Sequence, residues 1–430
     1  WVSSPMSRDN LTSQLFNSCC SLVLLQKLLK EEAEINLIST DSFVLKKVIK
    51  NYLKKNNFKI PVVCEKKLTQ KLTLFVFPLL RWLWIFFKQF YQWILVNKVV
   101  KIRININHEP LTLIDTYIVG DFDEKKDRYY GDLWENLDKK EQDTLYFVPT
   151  IINDHKNSSK DRISKMLQSK KNFLFKENFL TFADYLFVFR YPLRIAFLNI
   201  PQKEFLEFEI TPLIKSELWS MTASNQVWFA LLNYRFTYRL KEKGARLRLV
   251  VDWFENQIMD KGWNAGFRKF FPETPTLGYA GYLVPLNWLA RYPSESEFQA
   301  QVIPERICVV GREIVKRTKM FCQSLEVNVA PAFRFDAVWV ERKEVPDKKK
   351  FAVLVALPIF LKDSIDVLRL VAAGIENCTI NNMSIQLKPH PTVSPESIKK
   401  AFGLNWPSVF EFVEGDFNNC VEKSNLLISN

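Results

Sequence analysis

The chain holds three histidines, and one of them, His390, stands between Pro389 and Pro391 where the strand-like run SIQL ends. Two prolines fix φ on either side and keep the residues before them extended, so the imidazole is aimed rather than mobile. Lys388 adds a cation two positions earlier, and Thr392 lies just beyond. The segment SPESIKK that follows has the marks of a helix start, with Ser394 as N-cap, Pro395 at the first helical position and Glu396 in the first turn. The unpaired backbone N–H groups of such a start favour an anion, so Lys388, His390, Pro391, Thr392 and Ser394 are suited together to a phosphate. A surface histidine on a proline turn leaves the same local pattern, and both readings stand at this level.

A second group follows another strand-like run. In RLRLVVDWFENQ, Glu255, Asn256 and Gln257 suit contacts to a sugar or an acceptor, or else a helix cap with solvated polar groups. Arg334 in APAFRF offers a planar fork that matches a phosphate, or equally a structural ion pair. Gly311 closes the strand-like PERICVVG and joins the same candidate set. In YYGDLWE, Asp132, with Glu135 behind it, is a carboxylate able to take a hydroxyl proton; a charged residue on an exposed helix reads the same way. An Asp-x-Asp pair occurs as DFD, Asp121 to Asp123, in the N-terminal half and away from these residues, so no metal is expected at the site.

Alternating elements are needed to position these groups. LTSQLFNSCCSLVLLQKLLKEE and DSFVLKKVIKNYLKKN have helical spacing, and EINLIST and FKIPVVC read as strands, as if opening a doubly wound sheet. Residues 72–96, LTLFVFPLLRWLWIFFKQFYQWILV, interrupt the pattern; Pro78 and Arg81 split the apolar run and Lys88 follows. A buried helical hairpin, an interfacial helix and a membrane span are the three readings, the last disfavoured by those breaks. Between 110 and 240, DTLYFVPTII and ADYLFVF look like strands and SNQVWFALLNYRFTYRLKEKG like a long helix closed by Gly244. From Arg246 the alternation is regular: RLRLVVDW, PTLGYAGYLVP, PERICVVG, FAVLVALP, SIQL, VFEFVEG and NLLIS as strands with helices between. In a parallel sheet of this kind ligands bind beyond the carboxyl ends of the strands, where His390 sits.

Composition narrows the function further. The 430 residues are 47% apolar and 25% charged, as in a globular protein, and too many for one core. Only 11 glycines argue against Gly-rich phosphate loops. The formal charge of +13 favours phosphorylated ligands or an anionic membrane surface; the basic residues are too dispersed for nucleic acid. Seven cysteines at 19, 20, 64, 308, 322, 378 and 420 show no metal-ligand spacing and suit reduced thiols. The beginning at Trp1 and the end at NLLISN suggest a fragment.

From about residue 246 to 430 the chain resembles the GT-B glycosyltransferases of bacterial surface-carbohydrate assembly. It is most similar to surface carbohydrate biosynthesis proteins distantly related to capsule keto-sugar (Kdo-type) transferases and bacterial sialyltransferases. The resemblance is carried by Lys388-x-His390-Pro391, DWFENQ, GWNAGFRKFFP, IPERICVVG and APAFRF in this order, and loosely by WVSS and YYGDLW in the N-terminal half. It implies two Rossmann-type domains facing a cleft, an α/β fold. An acceptor-side domain would span 1–245, with the aromatic-rich helical insertion near 72–96, and a nucleotide-sugar domain 246–430. It implies that His390 contacts the phosphate or ribose of the donor. A second donor contact, a Ser/Thr pair after a later strand, falls at or past the terminal ISN. The expected activity is metal-independent transfer of a sugar from a nucleotide-activated donor, such as a CMP-keto sugar, to a glycan or lipid-linked acceptor at the inner face of the cytoplasmic membrane. The nucleotide sugar is a co-substrate and no other cofactor is implied. A glycerol- or ribitol-phosphate transferase and a non-catalytic membrane-peripheral scaffold are the alternatives.

Overall fold

The computed structural model describes residues 9, 13–31, 34–65, 68–101, 109–119, 122, 127–152, 159–338, 351–376, 383–391, 393–415 and 417–429. Thr392, Asp121, Asp123, Asn430 and the WVSS segment lie outside the described residues. Two compact units divide the chain, Trp1–Val338 and Trp339–Asn430.

The first unit begins with α1 (Gln14–Lys30), β1 (Ile38–Thr40), α2 (Phe43–Lys55), β2 (Val62–Cys64), α3 (Leu68–Val99) and β3 (Leu111–Val119). Then come α4 (Lys139–Thr144), β4 (Leu145–Ile152), α5 (Ser159–Gln168), α6 (Phe182–Phe189), α7 (Tyr191–Ala196), the short β5 (Glu204–Phe205) and β6 (Phe208–Glu209), α8 (Thr211–Ser220) and α9 (Asn225–Glu242). It closes with β7 (Leu247–Trp253), α10 (Ile258–Phe270), β8 (Thr276–Ala280), α11 (Glu295–Gln299), β9 (Arg306–Val309), α12 (Arg312–Phe321) and β10 (Glu326–Val329). The second unit holds β11 (Phe351–Ala356), α13 (Leu361–Glu376), β12 (Met383–Lys388), α14 (Pro395–Phe402), β13 (Phe410–Phe412), α15 (Phe417–Glu422) and β14 (Leu426–Ser429).

Six parallel strands form the main sheet of the first unit in the order β10-β9-β8-β7-β3-β4. The chain lays down β3, moves outward to β4, then returns to the other side of β3 for β7 and continues away from it. The direction of winding therefore reverses between β3 and β7, the place where open α/β sheets hold their ligands. The pairing of β7 with β3 corrects the expected division at 245/246: residues 246–338 complete a sheet begun at residue 111 and belong with the N-terminal half. Strand β3, LTLIDTYIV, is buried along almost its whole length, as a central parallel strand covered on both faces must be.

Three further expectations are corrected. Strands β1 and β2 pair only with each other, over a small core of Leu22, Val48, Ile49 and Leu53, and do not open the main sheet. ADYLFVF is not a strand but α6. Its start is fixed by a capping box between Thr181 and Asp184, and Asp184 is buried against Arg235 (2.6 Å) and Arg239 (2.8 Å) of α9. Those ionic contacts outweigh the β preference of the aromatic and branched residues. The 72–96 run is neither a hairpin nor split: α3 continues through Pro78 as one helix of 32 residues. Trp82, Ile85 and Val96 anchor it in the core, and the carbonyl of Phe75, one turn before the proline, accepts from Trp219 Nε1 (3.1 Å). Packing of this kind offsets the hydrogen bond that an interior proline removes, at a cost of about 3 kcal/mol.

Helices α9 and α10 lie against each other at backbone distance. A Cβ at Gly262 would fall on the carbonyl of Ala230, and one at Gly266 on Thr237 Oγ1. Their contact joins Trp228, Phe236, Trp263 and Phe267 to Leu113, Val148 and Val250 of the sheet in the largest core. It also brings the starts of both helices, capped at Ser224 and Gln257, to one place.

In the second unit four parallel strands run in the order β13-β12-β11-β14. Here too the winding reverses, between β11 and β14. Val353, Val355, Leu368, Ile385, Leu387, Ile398 and Phe410 form its core. Both sheets are thus parallel and open, in an α/β fold with two units.

Gly262→Ala should destabilise the first unit by about 3 kcal/mol or more, because the obstacle is backbone and the helices must part. Urea unfolding measures it; a variant as stable as the parent would refute the backbone-to-backbone contact.

Candidate functional site

At the winding reversal of the first unit lies a cleft of about 290 Å³, lined by Tyr117 from β3, Ile152 from β4, Glu255 and Gln257 after β7, and Asn225, Gln226 and Phe229 at the start of α9, with Tyr129 and Met259. Every one of these positions follows from the sheet order. Strands β3 and β7 end side by side, and α9 and α10 begin above them.

Glu255 is fixed within the cleft by four donations. Trp253 Nε1 reaches its Oε1 at 2.8 Å, Gln257 Nε2 its Oε2 at 2.5 Å, and Arg291 Nη1 both that Oε2 at 2.8 Å and the Glu255 carbonyl at 2.9 Å. Gln226 Nε2 in turn donates to Gln257 Oε1 at 3.1 Å, so the lining amides are oriented as a chain. Arg291 lies over the Trp288 ring, 4.0 Å from its centroid, which holds the guanidinium in place. Tyr129 packs edge-on to Trp253 with centroids 4.7 Å apart. Such a surface of aromatic faces beside fixed amide and carboxylate groups is fit to read a polyhydroxylated ligand.

Beneath the cleft is a buried polar layer. Asp115 of β3 and Asp252 of β7 stand one rung past Ile114 and Val251, the last pair that joins these two strands. Asp260 of α10 faces them and accepts from Tyr117 Oη (3.3 Å) and from the backbone N–H groups of Gln257 (2.8 Å) and Glu255 (3.0 Å). Asp252 accepts from Asn264 at 2.5 Å. Burial, in the first place, raises all three carboxyls; the Asp260 charge then raises Asp115, those of Asp260 and Asp115 raise Asp252, and that of Glu255 raises Asp260. Asp115 and Asp260 are both pushed up to about 7, while Asp252 is raised further. Two buried cations accompany them. Lys176, lowered by burial and drawn back by Asp115, donates to Thr150 (2.6 Å) and Asn233 (2.7 Å); Lys261 pairs with Glu297 at 3.0 Å and donates to Asn256. Through Tyr117, which lines the cleft and touches Asp260, this layer has a hydrogen-bonded route to whatever the cleft holds.

The sequence candidates separate between the units. Glu255 and Gln257 line the cleft. Asn256 is not among the cleft residues: it is buried, sits at φ +55°, and its amide holds the carbonyls of Ala290 (2.9 Å) and Tyr292 (3.2 Å). Its left-handed backbone explains an asparagine there, and its bonds make it a structural lock. Arg334 is exposed on the turn Phe333–Val338, within electrostatic reach of Arg128, Tyr129 and Glu255. That turn packs against the turn Gly131–Leu133 carrying Asp132. Asp132 and Glu135 are exposed, whereas the tyrosines before them are buried; Tyr130 Oη donates to the Asp115 carbonyl at 2.8 Å. Gly311 follows β9 at φ +149° as the N-cap of α12, in the first unit.

Lys388, His390, Pro391 and Ser394 form the second group, in the second unit. Lys388 ends β12, level with Ala356 of β11, and its Nζ donates to the Gly415 carbonyl at 2.6 Å. His390 is half-buried and its carbonyl accepts from Val393 N (2.9 Å), closing the turn that leads to Ser394. Ser394 caps α14 through Ser397 N at 3.2 Å, as its sequence position foretold. On the next strand the first helical turn of α13 rises from the same carboxyl edge, with Ser364 Oγ tied to the Pro358 carbonyl.

Asp115, Asp260, Lys176 and Tyr117 were not singled out from sequence. The available signal was an aspartate in the middle of the branched run LTLIDTYIV, whose period admits no exposed face. No group of acidic, cysteine or histidine residues fit to hold a metal occurs among the described residues. Neither protein-family models nor curated proteins match the sequence.

The raised carboxyls give a pH dependence of definite sign. Asp115 and Asp260 bind protons more tightly folded than unfolded. Their stabilising contribution is therefore complete below about pH 4 and lost as pH rises through about 7, at up to about 1.4 kcal/mol per pH unit for each proton released. The melting temperature should fall between about pH 4 and about pH 7, and Asp115→Asn, which cannot ionise, should flatten that fall. Calorimetric scans across this range check it; an unchanged slope in the variant would contradict the raised Asp115 carboxyl.

Proposed function

We propose that the protein is a glycosyltransferase of the GT-B type, moving a sugar from a nucleotide-activated donor to a carbohydrate acceptor of the cell surface. The reading rests above all on one observation: Lys388, His390 and the α14 start gather at the carboxyl edge of a parallel sheet wound as β13-β12-β11-β14. That edge is where a nucleotide is held in open α/β folds.

In this mechanism Lys388 and His390 bind the donor's phosphate, and the α14 N–H groups beyond Ser394 add their dipole. As the bond from the anomeric carbon to the phosphate oxygen breaks, the electron pair leaves with the nucleotide, and these groups stabilise the growing charge. The acceptor oxygen forms the new bond to the anomeric carbon and gives its proton to a carboxylate. The first unit's cleft takes the acceptor, whose hydroxyls meet Glu255, Gln257 and Gln226 while Tyr129 and Phe229 offer apolar faces. Glu255 is already committed to several donors and is better suited to orient than to accept a proton. The exposed Asp132, on the turn beside Arg334, is the proposed base, with Glu135 behind it. No metal is needed for this route, since cations and helix dipoles carry the phosphate's charge.

His390→Ala should weaken nucleotide binding by about 1–3 kcal/mol while the fold stays intact, the range for a lost hydrogen bond to a charged group. Calorimetric titration with CMP, CDP and UDP measures it. Equal affinity of parent and variant for every nucleotide that binds would overturn the donor-site assignment.

A further inference from the structure

Helix α3 is built inside out. The side that faces the core carries Gln89 and Gln92 along with Trp82, Ile85 and Val96, and Gln92 Nε2 donates to the buried Glu177 at 2.8 Å. The side that faces outward is apolar. Val76, Leu80, Leu83, Trp84, Phe87, Tyr91 and Ile94 recur at intervals of three and four residues, and Leu80, Phe87 and Tyr91 are 61%, 61% and 66% exposed. A water-facing helix has the opposite pattern.

The face continues beyond α3. Ring contacts of Phe86 with Phe189 (5.0 Å) and Phe90 with Phe182 (5.7 Å) join α3 to α6, and that of Trp82 with Tyr191 (5.4 Å) joins it to α7. There Phe182, Leu193 and Leu198 are exposed, and Phe197 is 85% exposed. Cations border this surface: Arg81 and Lys88 lie over the Trp84 ring at 4.4 and 5.1 Å, and Arg190 and Arg194 are exposed beside Leu193. Acidic residues are missing from α3 altogether, and the one in α6–α7, Asp184, is buried and paired with Arg235 and Arg239.

We propose that this face docks on the headgroup region of an anionic phospholipid bilayer, with α3 lying along the surface. Apolar side chains enter the acyl boundary, Trp84 and Tyr91 sit at headgroup level, and the four cations meet lipid phosphates. Charge selects this occupant over a second copy of the chain. A two-fold dimer opposes a patch to itself and would bring these cations together with no carboxylate between them, whereas an anionic surface neutralises them. Insertion goes no further than the interface: no helix among the described residues is long and apolar enough to cross a membrane. Nothing here depends on the proposed transfer reaction.

Co-sedimentation of the full chain with vesicles of phosphatidylcholine, with and without phosphatidylglycerol, tests it. The parent should bind the anionic vesicles, and the triple change Leu80→Ser, Leu83→Ser, Phe87→Ser should weaken binding by about tenfold or more, about 1.4 kcal/mol, with unaltered melting. Phe197→Ser, just past the end of α7, gives an independent arm and should also weaken binding. Arg81→Gln with Lys88→Gln should remove most of the preference for anionic over neutral vesicles. Failure of the parent to bind anionic vesicles would overturn the proposal, as would undiminished binding by both serine variants. A concentration-dependent dimer of the parent that the triple variant abolishes, without vesicle binding, would assign the face to self-association instead.

Discussion

The contact between α9 and α10, with Gly262 set against the Ala230 carbonyl, is the constraint on which the first unit turns. At larger separation Trp228 and Trp263 would lose their common core, and the two helix starts would not meet over β3 and β7. Because they do meet, Gln226 and Gln257 bond each other, Glu255 is held, and Asp260 reaches the buried edge of the sheet. Small residues bring backbone to backbone, and carboxyls are then packed where burial raises them, with Lys176 and Lys261 buried nearby.

That arrangement carries a cost in stability. Three carboxyls crowd the reversal point between β3 and β7, and burial together with neighbouring negative charge raises all of them. A core built only for stability would hold apolar residues at Asp115 and Asp252. Perturbed carboxyls beside a cleft are a common sign of a working site, here supported by the sheet order and by the lining of the cleft. Outside the cleft the same trade recurs on α3, whose outward Leu80, Phe87 and Tyr91 have no structural gain unless the outer face meets something apolar.

Much of the fold was legible where the period of the sequence was clean. From FAVLVALP to NLLIS every strand and helix follows the pattern, and Ser394 caps its helix as its sequence signals require. Residues whose fate is set by distant partners were not legible. ADYLFVF has strand-forming residues, yet Asp184 meets two arginines some fifty positions away and becomes part of a helix. Asn256 looked like a ligand contact beside Glu255, but its positive φ turns the amide into the 290–292 loop. The division at residue 245 failed for a similar reason: local alternation does not reveal which earlier strand a new strand will pair with, and β7 chose β3. Buried Asp115 gave no sign of its neighbours, since Lys176, Asp252 and Asp260 come from other parts of the chain.

The assignment of a donor site to His390 is the central claim, and the scarcity of histidine makes it accessible. Only His108, His155 and His390 occur in the chain, so a sample carrying isotope-labelled imidazoles gives three sets of ring signals in nuclear magnetic resonance, with His390→Gln identifying one. On titration with CMP, CDP or UDP, the His390 signals should move in proportion to saturation by the nucleotide that binds, with the largest change among the three. A nucleotide that binds, as seen by calorimetry, while leaving the His390 ring signals in place would contradict the account.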